Sequence, residues 1–221
     1  MNFRGMKIVN VMASSLDGKI AGHSHESDKA RRDYGFTNKT DQEFVRSQLA
    51  TADAVITGAN SLRASEGAWQ VTNHEGRFAT WIVLTTSGLD HDLRFWKQDQ
   101  VEKWLVCPAG SKNLTIPPWA KNARILAAPE DENIAEYVAK QAELAGYRKT
   151  LLFGGGHVNR LFYAAGLVDE LRLTLCPLML GLPDASNLLT PPLPAPVHFR
   201  LESSNRDGDL VFLNYTVQKN S

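Results

Sequence analysis

The residues most suggestive of chemistry are three short runs of glycine with small hydroxyl or amide side chains, each following an apolar stretch: Thr57-Gly58-Ala59-Asn60-Ser61, Thr86-Ser87-Gly88 and Gly154-Gly155-Gly156-His157. In an open α/β sheet, ligands sit beyond the carboxyl ends of the strands, and glycine lets backbone amides approach a phosphate with no Cβ in the way. Two of the runs open helical patterns, whose N-terminal amides and dipole favour an anion. Glycine at a strand end equally serves a tight turn, but three such runs together point to a dinucleotide laid across a sheet. Gly154 to Asn159 is an incomplete G-x-G-x-x-G, because Asn159 stands at the third glycine, and no G-x-x-x-x-G-K-[ST] occurs.

Other candidates weigh less. His23, His25 and Glu26 resemble a metal cluster, but Lys29 occupies the second histidine position of H-E-x-x-H, so a solvated loop is expected and no metal. Asp17 is a proton-donor candidate, since a carboxyl in a pocket can keep its proton; an Asp before Gly more often builds a turn. His157 fits either a phosphate contact or a helix cap. The aperiodic stretch Ser65 to Gly76 carries Glu66, Trp69 and His74 and reads as a binding loop, in which Trp69 either stacks on a heterocycle or packs as an ordinary aromatic. No nucleophile motif is evident, which leaves Asp17 and Glu66 as the carboxyl candidates for catalysis.

These residues need a scaffold. Lys7–Ser14 reads as a buried strand ending in a turn, and Gly22 to Asp33 as polar and aperiodic. Thr40 before Asp41-Gln42-Glu43 has capping-box spacing and opens a helix of about ten residues. Strands follow at Ala54 to Thr57, Trp81 to Thr85 and Thr150 to Phe153. Helices run from Ile134 to Gly146 and from Val158 to Gly166, each closed by glycine. Glu170 to Cys176 alternates strictly, with Leu171, Leu173 and Leu175 opposite Glu170, Arg172 and Thr174. Asp209 to Val217 repeats that pattern after an Asp207-Gly208 turn. The sum is one α/β domain over residues 1–221, mostly parallel, with an antiparallel C-terminal strand pair.

Composition narrows the class. The 221 residues hold 24 Lys plus Arg against 24 Asp plus Glu, leaving no net field for a polyanion or an anionic membrane. Apolar runs fall far short of the ~20 residues that span a bilayer, and no signal peptide is recognisable at the start. A cytoplasmic protein with neither nucleic-acid nor membrane partner is expected. Cys107 and Cys176 each precede proline and read as buried free thiols.

Three ordered blocks resemble the reductase domain of bifunctional riboflavin-biosynthesis proteins: Met12 to Ala21, Asp53 to Ala64, and Gly155-Gly156-His157-Val158-Asn159 continuing through Ala165 to Leu171 and Cys176 to Gly181. The resemblance implies a dihydrofolate-reductase-like fold, a homodimer, NADPH as cofactor, and reduction of 5-amino-6-(5-phosphoribosylamino)uracil. By position, Ala13, Gly58, Ser61, Thr86, Gly155, Gly156, His157 and Val158 would line the cofactor; the loop reading adds Thr57, Asn60 and Ser87. Ser27 matches a substrate contact, and Ser65 and Trp69 complete that set. Members commonly carry lysine at Val11, an acid at Ser65, glutamate at Gly154 and a phosphate-binding arginine near Thr72, which Arg77 would replace only in a rebuilt loop. The uracil assignment is thereby weakened and the cofactor assignment is not. The alternatives are another heterocycle, such as a pterin or dihydrofolate, or a non-catalytic dimeric relative. The zinc elements of the partner deaminase, H-x-E and P-C-x-x-C, do not occur.

Overall fold

The computed structural model describes residues 5–23, 26, 28–65, 67–112 and 114–219. In chain order the elements are β1 (Lys7–Ser14), β2 (Lys19–Ala21), α1 (Asp28–Asp33), α2 (Lys39–Leu49), β3 (Ala54–Gly58), α3 (Ala59–Ser65), β4 (Thr80–Leu84), β5 (Lys103–Pro108), β6 (Ala123–Ala128), α4 (Ile134–Leu144), β7 (Lys149–Phe153), α5 (Gly156–Ala164), β8 (Glu170–Leu175), β9 (Ser186–Asn187), β10 (His198–Asp207) and β11 (Leu210–Gln218), with a 3-10 turn at Arg94–Lys97. Nine strands form one sheet in the order β10-β11-β8-β1-β7-β3-β4-β5-β6. The seven from β8 to β6 are parallel, while β11 is antiparallel to β8 and β10 to β11. A separate ribbon pairs β2 with β9.

The central strands are continuous apolar runs because both sheet faces are covered. β3 and β4 are buried at every position. On one face Ile8, Ile56, Ile82, Trp104 and Leu152 pack under α4 and α5; on the other, Val9, Val55, Trp81, Val83 and Leu151 pack with Leu49 of α2, Leu62 of α3, and Phe95 and Trp96. Each such side chain contributes roughly 1.5–3 kcal/mol of burial. α4 is capped by Asn133, whose Oδ1 accepts from the Ala135 and Glu136 amides, and Gly146 beyond its end adopts φ 79°. Cys107 and Cys176 are buried and free.

The structure corrects several sequence expectations. α2 starts one turn's fraction earlier than the Thr40 reading, because Asn38 is the cap: its Oδ1 accepts from the Asp41 amide at 3.0 Å. The aperiodic 22–33 stretch contains α1. β5, β6 and β10 were not anticipated. The last two are the sheet edges and largely exposed; β10 carries the polar residues an edge strand needs, while β6 is short and, apart from Arg124, apolar without alternation. The alternation of β8 is also inverted at its end: Thr174 is 1% exposed, while Leu173 and Leu175 are only half-buried. Thr174 shares a face with Ala13 of β1, at the cleft described next.

Candidate active site

A cleft of about 1050 Å³ opens at the carboxyl ends of β1, β3, β4 and β7. It is at the top of the ~300–1,000 Å³ range of small-molecule sites, with room for a long ligand. All eleven residues expected at a cofactor line it: Ala13, Thr57, Gly58, Asn60, Ser61, Thr86, Ser87, Gly155, Gly156, His157 and Val158. Parallel pairing brings them together, since β7 pairs with β3 and β3 with β4, so that three separate loops become neighbours. The Thr57 hydroxyl ties two of these strands by donating to the Phe153 carbonyl at 2.9 Å.

The β7–α5 turn is the part most shaped for an anion. Gly155 is the N-cap of α5 and supplies no side-chain hydrogen bond to the first-turn amides, so those donors are left for a ligand. Glycine is required here by close approach. A Cβ on Gly156 would lie 2.5 Å from the Asn187 carbonyl oxygen, and one on Gly154 would lie 2.6 Å from Asn159 Oδ1. Asn159, the residue that breaks the glycine fingerprint, has its own work: Oδ1 accepts from Asn10 Nδ2 at 3.3 Å, and Nδ2 donates to the Leu188 carbonyl at 3.1 Å. Asn10 also accepts from the Tyr163 hydroxyl, and burial pushes that phenol's pKa up, keeping its proton on. The network pins residues 187–190 across the turn, and Thr190 donates to the Gly156 carbonyl. These bare backbones and uncapped amides fit a dinucleotide phosphate.

A second lobe lies beside β1, α1 and α2, lined by Val11, His23, Glu26, Arg32, Asp41, Gln42, Ser65 and Trp69 among others. Glu26 is 4% exposed; Oε2 accepts from the Gly22 amide at 2.9 Å, and Oε1 is buried with no hydrogen-bond partner. The solvated-loop reading of Glu26 is therefore corrected. A buried acceptor left unmet costs about 1–3 kcal/mol, a cost that a ligand N–H would relieve. Trp69 does both things expected of it, packing on the core, with the Arg46 guanidinium 5.4 Å from its ring centre, while lining the lobe. Ser65 lines it too, its hydroxyl turned to the Leu62 and Gly67 carbonyls.

Asp17 does not line the cleft. Its carboxylate accepts from the Ser15 hydroxyl and from the Leu180 and Gly181 amides, and these bonds hold its pKa down at about 2. It builds a turn and has no proton to donate near neutrality. Ser27, Glu66 and His25 lie outside the described residues. Arg77 pairs at the surface with Glu75, and Thr72 bridges to Phe78; neither faces the cleft. The arginine that reaches the second lobe is Arg32. Sequence reasoning missed Arg32, Asp41 and Gln42 as lining residues: Arg32 comes from a short polar helix with no motif, and Asp41 and Gln42 were read only as the start of α2. Among the described residues, no group of three or more His, Cys, Asp or Glu side chains could hold a metal ion.

The sequence profile of the RibD C-terminal domain matches residues 6–213. The chain belongs to the RibD C-terminal domain family. A comparison with curated proteins finds no match. Among solved structures, this RibD C-terminal domain chain is similar to a pyrimidine reductase-like protein from Corynebacterium diphtheriae, with 17% identity over 97% of this chain and 93% of that one, at TM-score 0.81. It is also similar to the diaminohydroxyphosphoribosylaminopyrimidine deaminase/5-amino-6-(5-phosphoribosylamino)uracil reductase of Thermotoga maritima, with 17% identity over 97% of this chain and 57% of that one, at TM-score 0.74. Dihydrofolate reductase from Enterococcus faecalis, complexed with NADP(H), aligns at 12% identity over 96% and 97% of the two chains, at TM-score 0.58. The fold is dihydrofolate-reductase-like, as the sequence blocks implied.

Proposed function

We propose that the chain is a single-domain, NADPH-dependent reductase of a phosphoribosylamino pyrimidine in riboflavin biosynthesis, acting in the cytoplasm. One observation carries the reading: three glycine-containing strand ends and the uncapped N-terminus of α5 converge in one cleft that has a polar second lobe. NADPH supplies the hydride when bound. The loops after β3, β4 and β7 hold its phosphates and ribose, and Ala13 and Thr174 floor the junction with the second lobe. There Trp69 covers a heterocycle and Glu26 accepts from its N–H groups. Orientation of this kind lowers a barrier without a strong acid or base. The test follows NADPH absorbance with 5-amino-6-(5-phosphoribosylamino)uracil: turnover supports the reading, and none opposes it.

A second reading, reduction of another heterocycle such as a pterin or dihydrofolate, is favoured by Gly154. Asn159 fills the space an acid at this position would need, and Arg32 is the sole Arg or Lys among the described residues lining the second lobe. Turnover of dihydrofolate but not of the uracil would select it. Turnover with neither, across a panel of pyrimidines and pterins, is what a non-catalytic relative predicts.

The assembly proposed is a two-fold dimer. Leu173 and Leu175 of β8 stand in register with Leu213 and Val211 of β11, all half-buried, and Leu201 of β10 is 51% exposed. The proline-containing segment shields only the neighbouring end of this face, where Leu193 and Val197 pack beside Phe199 and Val217. A second copy would cover the rest. Light scattering should give twice the 24.5 kDa chain mass, and Leu173→Glu should return it to one; a monomer at every concentration contradicts the dimer. No helix among the described residues is long and apolar enough to cross a membrane.

A further inference from the structure

We propose that Gln98 is a positioning residue for the second lobe: its side-chain amide holds the main chain of Ala68 and thereby fixes the Trp69 ring over the substrate. This rests on the reading of Trp69 as the cover of a heterocycle. Between Gly67 and Ala79 the connection that carries Trp69 has no helix or strand, only a bridge between Thr72 and Phe78. A strand ladder therefore does not set where the ring stands. Gln98 does what a neighbouring strand would do. Its Nε2 donates to the Ala68 carbonyl and its Oε1 accepts from the Ala68 amide, both at 2.8 Å and both buried. A carboxamide offers a donor and an acceptor side by side, so one side chain satisfies both main-chain groups of one residue. The approach is close: a Cβ on Gly67 would lie 2.8 Å from Gln98 Oε1 and 3.4 Å from the Phe95 nitrogen.

The far end of this clamp is anchored in the core. Gln98 follows the 3-10 turn, whose Phe95 and Trp96 are fully buried. Its carbonyl accepts from the Val101 amide at 3.0 Å and from Lys103 Nζ at 2.7 Å. Lys103, on β5 and itself fully buried, also donates to the Val101 and Lys121 carbonyls, so all three protons of its ammonium are used on main chain. Trp69 is the next residue after Ala68. Its ring packs on the core cluster that contains Phe95 and Trp96, has the Arg46 guanidinium 5.4 Å from its centre, and lines the second lobe. A shift of Ala68 passes directly to that ring, and a misplacement of about 1 Å can cost up to a hundredfold in rate.

The test is a double-mutant cycle on the full chain, read as the KM for 5-amino-6-(5-phosphoribosylamino)uracil, or for dihydrofolate if wild type turns over that compound instead. Gln98→Met, unbranched but without the amide, should raise KM about fourfold and leave kcat and NADPH affinity within about twofold. In a Trp69→Ala background it should add almost nothing, because changes that act through one shared contact are not additive. Val138→Ala truncates the core on the opposite face of the sheet; it should lower the melting temperature without moving KM, which separates positioning from general loosening. Amide hydrogen exchange reads the clamp with no ligand present: Ala68 should exchange about tenfold faster in Gln98→Met than in wild type or in Val138→Ala. Should Gln98→Met fail to fold, Gly67→Ala, whose Cβ presses on Gln98 Oε1, decides in its place with the same expected readings. An unchanged KM, an equal loss for NADPH, a fully additive loss in Trp69→Ala, or unchanged exchange at Ala68 would each overturn the proposal. Turnover of neither compound by wild type refutes the reading of the lobe, a separate outcome, and the exchange rate of Ala68 then decides the clamp alone.

Discussion

The two lobes of the cleft are built on different principles. The side formed by the glycine loops is mostly backbone: bare glycine turns after parallel strands, an uncapped helix N-terminus, and a strap pinned over them by Asn159. The lobe beside β1 is mostly side chain: Glu26, Arg32, Asp41, Gln42 and Trp69, drawn from a loop, two helices and a long connection. Backbone recognition constrains residues locally, because a Cβ at Gly154 or Gly156 collides with its neighbours. Side-chain recognition constrains nothing locally and can be rebuilt one residue at a time. The first lobe therefore suits a ligand common to many reductases, and the second the ligand that differs among them.

Breaking the backbone lobe should have the largest effect. Gly156→Val would drive its side chain into the Asn187 carbonyl and Thr190; we expect a loss of about 1–3 kcal/mol of stability, seen as a lower melting temperature, together with loss of NADPH binding. Glu26→Gln sharpens the comparison from the other side. It should weaken the pyrimidine by about tenfold or more, the scale of a charge-assisted bond, and leave NADPH affinity unchanged. A matching loss for NADPH would mean the lobes are not separate. Trp69→Ala should raise the substrate KM several-fold, about 0.5–1.5 kcal/mol for the ring contact, again without moving NADPH. Asp17→Asn should have the smallest effect, and one that fades in acid. Because the folded carboxyl titrates at about 2 rather than the ordinary 3.8, its stabilisation is full above that ordinary value and fades as pH falls towards 2. Denaturant melts should show the variant slightly less stable at neutral pH, with a flatter acid decline, so that the two proteins converge as pH falls towards 2.

The same contrast explains what could be read in the sequence. β1, β3, β4 and β7 were legible within a residue or so because both their faces are buried and their strings are apolar. β10 was not, because His198 to Asp207 is an exposed edge with a bulge between Leu201 and Ser203, and its only strong pairing is with β11. Thr174 lies on the face opposite Leu173 and Leu175, as alternation implied, but it is buried rather than exposed, because alternation reports polarity whereas a cleft can bury a polar residue. Arg32 carried no motif and Asp41 only a helix-start one, and their place in the second lobe depends on tertiary packing that a local pattern does not display.

The central claim, that the strand-end loops form a nicotinamide dinucleotide site, is tested most directly by isothermal titration of the full chain with NADPH. The account predicts saturable, one-to-one binding in the micromolar range, lost in Gly156→Val and kept in Glu26→Gln. Absence of binding by NADPH and NADH alike at millimolar concentration would contradict it.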